Sequence, residues 1–538
     1  MDALIALSLL APLLVAALLW LPAGRAPGLR LAPWAPLPAL VLALAAPAPF
    51  ELDLPWLLFG SRLGLDETGR VFLLFTALIW LAAGWFARAW LAHDARRHVF
   101  AGFFLLAQAG NLGVCLALDA ASFYGFFAVM SIAAYGLVVH DRSAAAWRAG
   151  RVYLTLALAG EVLILSGLLL AAGAHPLAVA CLILGFGVKT GLPLLHVSLP
   201  LAYAATPIPG AAVLAGAMIK AGLLGWLRFL PLGEAALPDA GTAMLLAGLL
   251  AIFFGSAVGL AQRQPGALLA YSSISQMGYI AVAVGAGLLA PGLWPLLLPA
   301  VVLYALHHAL AKAALFLGLG VAERHGATHW VLAGLALPAL ALAGAPLTSG
   351  LLAKSALKPA LAGLPAPWGE PLPALLALGA LGTALLMLRL FWLIRRQTGQ
   401  PAAPGRGLAA PWLLALLGVA GLGAWLAPTP TWQDALEAGA ALGASWPIAA
   451  ALALAFAAVR LRLPAPRIPP GDLLLPVERM LAALLQPGRP LPPLAAPPSM
   501  LPPPSAHPAR VEARLRAWPL AGMLWLIGVA ILLALLAR

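Results

Sequence analysis

Apolar residues in this chain come in long runs rather than on faces, and the runs are separated by short clusters of Arg, Pro, Gly, Asp or Glu. A helix that is hydrophobic all round has no side to offer water, and about 20 residues at 1.5 Å each cross a ~30 Å hydrocarbon layer. The runs at 3–21, 32–48, 71–91, 99–118, 121–139, 152–172, 177–195, 208–230, 241–261, 267–289, 294–320, 330–356, 373–394, 409–427, 442–459 and 518–537 predict about sixteen transmembrane helices, numbered below in that order. Between helices 2 and 3 the pattern changes. FELDLPWLLFGSRLGLDETGRVF alternates and carries turn residues, which predicts a short hairpin on the outer face. Residues 464–510 hold too many prolines for one continuous helix; within them, 471–486 reads as a short amphipathic helix with Asp472 as its N-cap.

Composition removes the soluble alternatives. With 63% hydrophobic residues, 9% charged residues and a mean hydropathy of +0.98, the chain is an all-α polytopic membrane protein whose first partner is the lipid bilayer. The opening run has Asp2 and no basic flank before it, so it is expected to be a retained first helix. A net charge of +13 would point to nucleic acid in a soluble protein, but its placement here says otherwise, and no nucleic-acid partner is expected. Arginines fill the connections after helices 1, 3, 5, 9, 11, 13 and 15, while the opposite connections hold Glu51, Asp53, Asp66, Glu67, Asp119, Glu234, Asp239, Glu370, Asp434 and Glu437. The positive-inside rule then puts both termini outside a bacterial-type inner (cytoplasmic) membrane. Cys115 and Cys181 both lie in apolar runs, so neither a disulfide framework nor a thiolate metal site is expected. There is no nucleotide-binding glycine loop and no Cys-x-x-Cys. No cofactor and no metal are therefore expected, and the catalytic part of any enzyme this chain serves would reside on other subunits.

The chemistry lies in the lysines. Only five occur, and Lys189, Lys220, Lys312 and Lys354 fall inside expected spans while arginine serves the loops. A charge at mid-bilayer costs at least ~2.5–3.5 kcal/mol. An ammonium out of water can give up its proton, whereas guanidinium stays charged, so lysine inside and arginine outside point to proton handling. Snorkelling suits Lys358 better than Lys189, Lys220 or Lys312. Glu161 is the only acid inside a span and would want a lysine partner. In helix 11, His308 and Lys312 share a face one turn apart, and His307 points about 100° away as a hydrogen-bonded packing residue. His196 is a secondary candidate. So are the helix 10 residues Tyr271, Ser272, Ser273, Ser275 and Gln276, which would hold waters unless the serines bond their own backbone. Gly185, Gly187, Gly191 and Pro193 break helix 7, and Gly344, Pro346 and Gly350 break helix 12 just before Lys354. Interrupted helices with buried ions are how transporters build midplane sites, and two breaks five spans apart suggest two five-helix units of opposite topology.

The segments LDAASFYGFFAVMS, GFGVKTGLPLLHVSLPLAYAATPIPGAAVLAGAMIKAGLLGWLRF, LLAYSSISQMGYI, LHHALAKAALFLGLG and APLTSGLLAK occur in unbroken order within roughly residues 60–400. In these the chain resembles the antiporter-like proton-translocating subunits of respiratory complex I, of Mrp-type Na+/H+ antiporters and of membrane-bound hydrogenases. The resemblance implies fourteen core helices with inverted repeats at helices 4–8 and 9–13. The expected division is 1–98 (helices 1–3 with the hairpin), 99–230, 241–395, and 408–538 with the proline-rich linker. It also implies roles for Lys189, Lys220, His308, Lys312 and Lys354, and places Asp119 and Phe123 at the entry to helix 5. The chain looks like a divergent member: the family's helix 5 glutamate is Ala128, the acid and basic pair before AYSS are Gln264, Gly266 and Ala267, and the upstream helix 11 histidine is Tyr304. That singles out Glu161 as the replacement acid for Lys189.

The leading expectation is a subunit of a hetero-oligomeric membrane complex that passes H+ along buried Lys, His and Glu. Alternatives are an Mrp-type subunit exchanging Na+ for H+, and a proton-flow subunit energising a cytoplasmic partner, as in inorganic-carbon accumulation. A more remote one is a haem-bearing electron carrier using His196, His307 and His308, against which stand adjacent histidines that point apart.

Overall fold

The computed structural model describes residues 2–46, 49–55, 60–170, 175–397, 407–426, 438–462, 467–471 and 474. Expected helix 16 and the amphipathic segment 471–486 lie outside these, save Gly471 and Leu474. The unit Met1–Leu473 is compact, and of the following unit, Leu474–Arg538, only Leu474 is among the described residues.

Helices occur at the other fifteen expected positions. They are α1 (Asp2–Trp20), α2 (Pro22–Ala45, in short segments), α3 (Glu67–Trp90), α4 (Arg97–Leu116), α5 (Ala120–Val138), α6 (Ala144–Leu169) and the broken helix α7a (Pro176–Thr190) with α7b (Ser198–Ala205). Then come α8 (Ile208–Phe229), α9 (Pro238–Leu260), α10 (Pro265–Leu289), α11 (Trp294–His325), the broken helix α12a (His329–Ala343) with α12b (Ser349–Ala362), α13 (Pro371–Gln397), α14 (Ala409–Leu426) and α15 (Ala438–Arg460). The expected hairpin pairs β1 (Phe50–Leu54) with β2 (Ser61–Leu65), antiparallel, Phe50 opposite Leu65.

Boundaries differ where caps outrank hydropathy. α6 starts at Ala144 and not near 152, because the Ser143 hydroxyl accepts the Ala146 amide at 3.1 Å. α2 starts in the expected loop, because Pro22, Pro27 and Pro33 preset helical φ while interrupting the ladder, leaving 3-10 turns at Pro22–Gly24 and Ala32–Trp34.

Lipid tails are as apolar as leucine, so helices in a bilayer associate where small residues let backbones meet. α9 and α10 meet this way: a Cβ on Gly241 would lie 2.8 Å from the Gly285 carbonyl, and one on Gly248 would lie 2.7 Å from that of Gly278. α10 is buried along its whole apolar window, α8 along 94% and α11 along 89%. These three form the middle of the bundle, and they carry Lys220, the polar stretch of helix 10, and His308 with Lys312.

The acid-bearing end is tied to the hairpin. Asp119 caps α5 by accepting the Ser122 amide at 2.9 Å, and it also accepts the Arg62 amide of β2 at 2.7 Å. Arg228, at the end of α8, donates to the Cys115 carbonyl of α4 at 3.1 Å and reaches the α3 cap Asp66 at 3.5 Å. Burial works to raise Asp119, but the hydrogen bonds from the Ser122 hydroxyl and the Arg62 and Ser122 amides outweigh it and hold the carboxyl below its ordinary value. A depressed carboxylate adds stability above the unfolded-state value and loses it as pH falls through the folded one. Asp119→Ala should therefore cost about 1–2 kcal/mol near neutral pH, and the difference in melting temperature from wild type should shrink below about pH 4. Thermal melts of the detergent-solubilised pair across pH 3–8 would check this.

Candidate functional site

Lys189 lies in the last turn of α7a, which ends where Gly191 adopts φ +79°. A residue with a Cβ is strained there, so the glycine permits the break. The lysine amine donates to the Tyr153 hydroxyl of α6 at 3.1 Å and to the Ser131 hydroxyl of α5 at 3.3 Å. It also sits 5.7 Å from the centre of the Phe127 ring and 5.5 Å from that of Tyr153.

Glycine decides where the acid goes. Gly160 of α6 and Gly185 of α7a face each other so closely that a Cβ on Gly185 would meet the Gly160 carbonyl at 2.9 Å. Glu161 follows that contact, is 6% exposed, and lies within the field of Lys189, with Ser131 beside both. Its Oε1 has no hydrogen-bond partner among the described residues. Ala128, where the resembled family carries its acid, is one helical turn before Ser131 on α5. A pocket of about 40 Å³ opens beside Lys189, lined by Ser131, Tyr153, Tyr203, Leu214, Met218 and Ile219. A water needs about 10–15 Å³ on this measure, so roughly two or three would fit.

That pocket ends on an irregularity in α8. Leu214–Met218 is a π turn, in which carbonyls bond five residues ahead. Two of its carbonyls take side-chain donors: Leu214 accepts the Tyr203 hydroxyl at 3.2 Å, and Ala215 accepts the Lys220 amine at 2.9 Å. Gly216 brings the turn against α11, where a Cβ would lie 3.2 Å from the Ala309 carbonyl. His308, next in sequence, is fully buried and lies in the fields of Lys220 and Lys312. Neither of its ring nitrogens has a hydrogen-bond partner among the described residues. Lys312, also fully buried, donates to the Leu269 carbonyl of α10 at 2.9 Å. Lys220, His308 and Lys312 thus form one cluster between α8, α10 and α11.

Lys354 sits at the second break. α12a ends at Gly344 with φ +82°, and the amine donates to the carbonyls of Leu342 at 3.0 Å and Ala343 at 3.1 Å. A cation at the carbonyl end of a half-helix is favoured by the helix dipole. The same amine lies 5.6 Å from the centre of the Tyr279 ring, which stacks on Tyr304. Tyr304 donates to Gln276 Oε1 at 2.9 Å, and Gln276 Nε2 donates to Thr383 at 2.9 Å. His307 bonds Ser349 at the start of α12b at 2.9 Å, away from the His308 cluster.

The helix 10 candidates divide. Gln276 joins the network just described, whereas Ser273 and Ser275 donate to the carbonyls of Leu269 and Ile252, at 3.1 and 3.0 Å, so both hydroxyls serve packing. The Ser272 hydroxyl is buried without a hydrogen-bond partner among the described residues. Tyr271 and the buried His196 face each other, ring centres 6.0 Å apart, and both pack on Phe254. The sequence reading passed over Ser131, Tyr153, Tyr203 and the π turn. Of these only the phenolic hydroxyls, Tyr153 within an expected apolar run and Tyr203 between two of them, carried a signal.

A family model described as "NADH:quinone oxidoreductase/Mrp antiporter, TM" matches residues 117–361, which enclose every residue from Glu161 to Lys354 discussed above. NADH-quinone oxidoreductase subunit N of Desulforudis audaxviator is 31% identical over 288 residues, 49% of this chain and 56% of that protein. In these matches the chain is similar to antiporter-like membrane subunits. The matched part spans little more than half the length of that curated relative. Two solved complexes carry the same fold. A chain of an archaeal respiratory complex, the membrane-bound sulfane sulfur reductase, superposes with a TM-score of 0.66 at 22% identity, over 83% of this chain and 99% of that one. A chain of the Mrp complex from Dietzia sp. DQ12-45-1b does so at 0.66 and 21%, over 83% and 100%. Twelve helices among the described residues are long and apolar enough to cross a membrane, and the two solved neighbours are each chains of a complex.

The Gly160–Gly185 contact yields a test. Gly185→Ala places a methyl on backbone, with the Ile164 amide nitrogen also 2.9 Å away, so α6 and α7a must separate. The melting temperature of the detergent-solubilised chain should fall by several degrees, while size-exclusion profiles stay monodisperse.

Proposed function

We propose that this antiporter-like subunit carries H+ through the bilayer along buried side chains, as one member of a hetero-oligomeric complex in a bacterial-type inner membrane. The observation that supports it is the cluster of Lys220, His308 and Lys312, three ionisable groups with no exposed surface between the three most buried helices. Fully buried ionisable groups in membrane helices are costly, and transport is the commonest reason for their presence. On one side of the cluster, the Lys189 pocket supplies room for waters and Glu161 supplies a carboxylate that can approach or withdraw. On the other, Lys354 at the second break and the Tyr304–Gln276–Thr383 network continue the polar line. In the proposed cycle Lys189 passes a proton through pocket water toward Lys220, His308 relays it to Lys312, and Lys354 forms the exit. Divisions at 1–98, 99–230, 241–395 and 408–538, with both termini outside, complete this reading.

The decisive experiment is proton movement by the purified chain, and by its native complex, in liposomes loaded with a pH-sensitive dye. Lys220→Ala should abolish it with insertion intact, and Lys220→Arg should fail equally, because guanidinium keeps its proton. Full activity in the arginine variant would overturn the relay. Repeating the assay with and without a Na+ gradient separates H+ conduction from Na+/H+ exchange.

Glu161 gives a second test. Glu161→Gln should cost nearly as much as Lys189→Ala, and adding Ala128→Glu to Glu161→Gln should restore part of the rate, since both positions neighbour Ser131. No recovery would mean that the two acids do not serve the same lysine.

A further inference from the structure

A cavity of about 360 Å³ lies away from the lysines, between α2, α3 and α4. Arg30, Arg88 and Arg97 line it, and no carboxylate does. The nearest acid in sequence, Asp94, is engaged with His140 at 3.0 Å and with the Arg96 amide at 2.6 Å. Arg97 is held in place by donating to the Ala92 carbonyl at 2.6 Å. Three exposed guanidiniums around one opening, with no carboxylate in its lining, favour an anion there.

The rest of the wall is apolar: Leu91, Phe100 and Phe104 line it, the two phenylalanines stacked 5.7 Å apart. The occupant therefore has an anionic head and a hydrocarbon body. Depth agrees with this. Trp90, the last residue of α3, lies under Arg324 at 4.9 Å. Tryptophans at helix ends mark the level of lipid headgroups. Basic pockets between transmembrane helices at that level suit phospholipid headgroups.

We propose that this cavity binds an anionic membrane phospholipid, its phosphate held by Arg30, Arg88 and Arg97 and its acyl carbons laid along Phe100 and Phe104. The proposal does not depend on the proton relay, since none of these residues belongs to it.

The test is native mass spectrometry of the detergent-purified full chain, titrated with phosphatidylglycerol, with phosphatidylcholine of matched acyl length, and with inorganic phosphate as competitor. Phosphatidylglycerol should be retained more tightly than phosphatidylcholine. Each arginine removed should weaken it about fivefold, the equivalent of ~1 kcal/mol, so Arg30→Gln/Arg88→Gln/Arg97→Gln should lose about 100-fold. The charge-matched control Arg263→Gln/Arg395→Gln/Arg396→Gln should retain it. Should the triple variant not stay monodisperse, Arg30→Gln alone must still show the fivefold loss. Equal binding of the two lipids, or equal loss in the control, overturns the proposal. Displacement by millimolar inorganic phosphate also overturns it, assigning the site to a soluble anion.

Discussion

An ammonium withdrawn from water must find oxygen atoms, and in a bundle this apolar the helices' own backbone is the main supply. Regular helices spend every carbonyl on the ladder, so the protein obtains oxygens by breaking the ladder or sharing it. Lys354 uses carbonyls left open where α12a stops. Lys220 uses a carbonyl of the π turn, and Lys312 shares the Leu269 carbonyl with Ser273. Lys189 is the exception: at its break the oxygens come from Ser131 and Tyr153. The irregular backbone and the buried cations are thus one feature seen from two sides, and the close glycine contacts are what hold the irregular parts in register.

The same constraint orders the cations by how replaceable their surroundings are. Carbonyl-bound lysines depend on backbone geometry, which no single side-chain change removes cleanly. Lys189 depends on side chains alone, and it is also the one with a carboxylate in range. A charge whose partners are side chains can be retuned by substitution. In this chain the carboxylate in range, Glu161, comes from α6.

Much of this was legible in the residues. Apolar runs located the helices, glycine and proline marked both breaks, and the scarcity of lysine isolated the four whose amines bond oxygens inside the bundle. The hairpin followed from alternation. Other parts were not legible, for physical reasons. The π turn at Leu214–Met218 has no proline, and Gly216 alone looks like any packing glycine. Ser131 and Tyr153 acquire meaning only when α5, α6 and α7a converge, which no local pattern encodes. The early start of α6 turned on one serine cap, and hydropathy is blind to caps. Helix 10 offered five polar side chains between 271 and 276, yet packing assigns them different duties, since a serine beside a carbonyl bonds it before it bonds water.

The two breaks share more than their composition. Gly191-Leu-Pro-Leu194 and Gly344-Ala-Pro-Leu347 each place a glycine in the left-handed region and, three residues on, a leucine at φ +73° and +63° respectively. Both leucines project outward, 75% and 71% exposed. A leucine at positive φ carries a backbone penalty, of order 1–3 kcal/mol, and the chain bears it twice in the same four-residue form. The same elbow is thus built at both breaks of one chain. Each copy can be altered while the other stays in the same molecule as its reference.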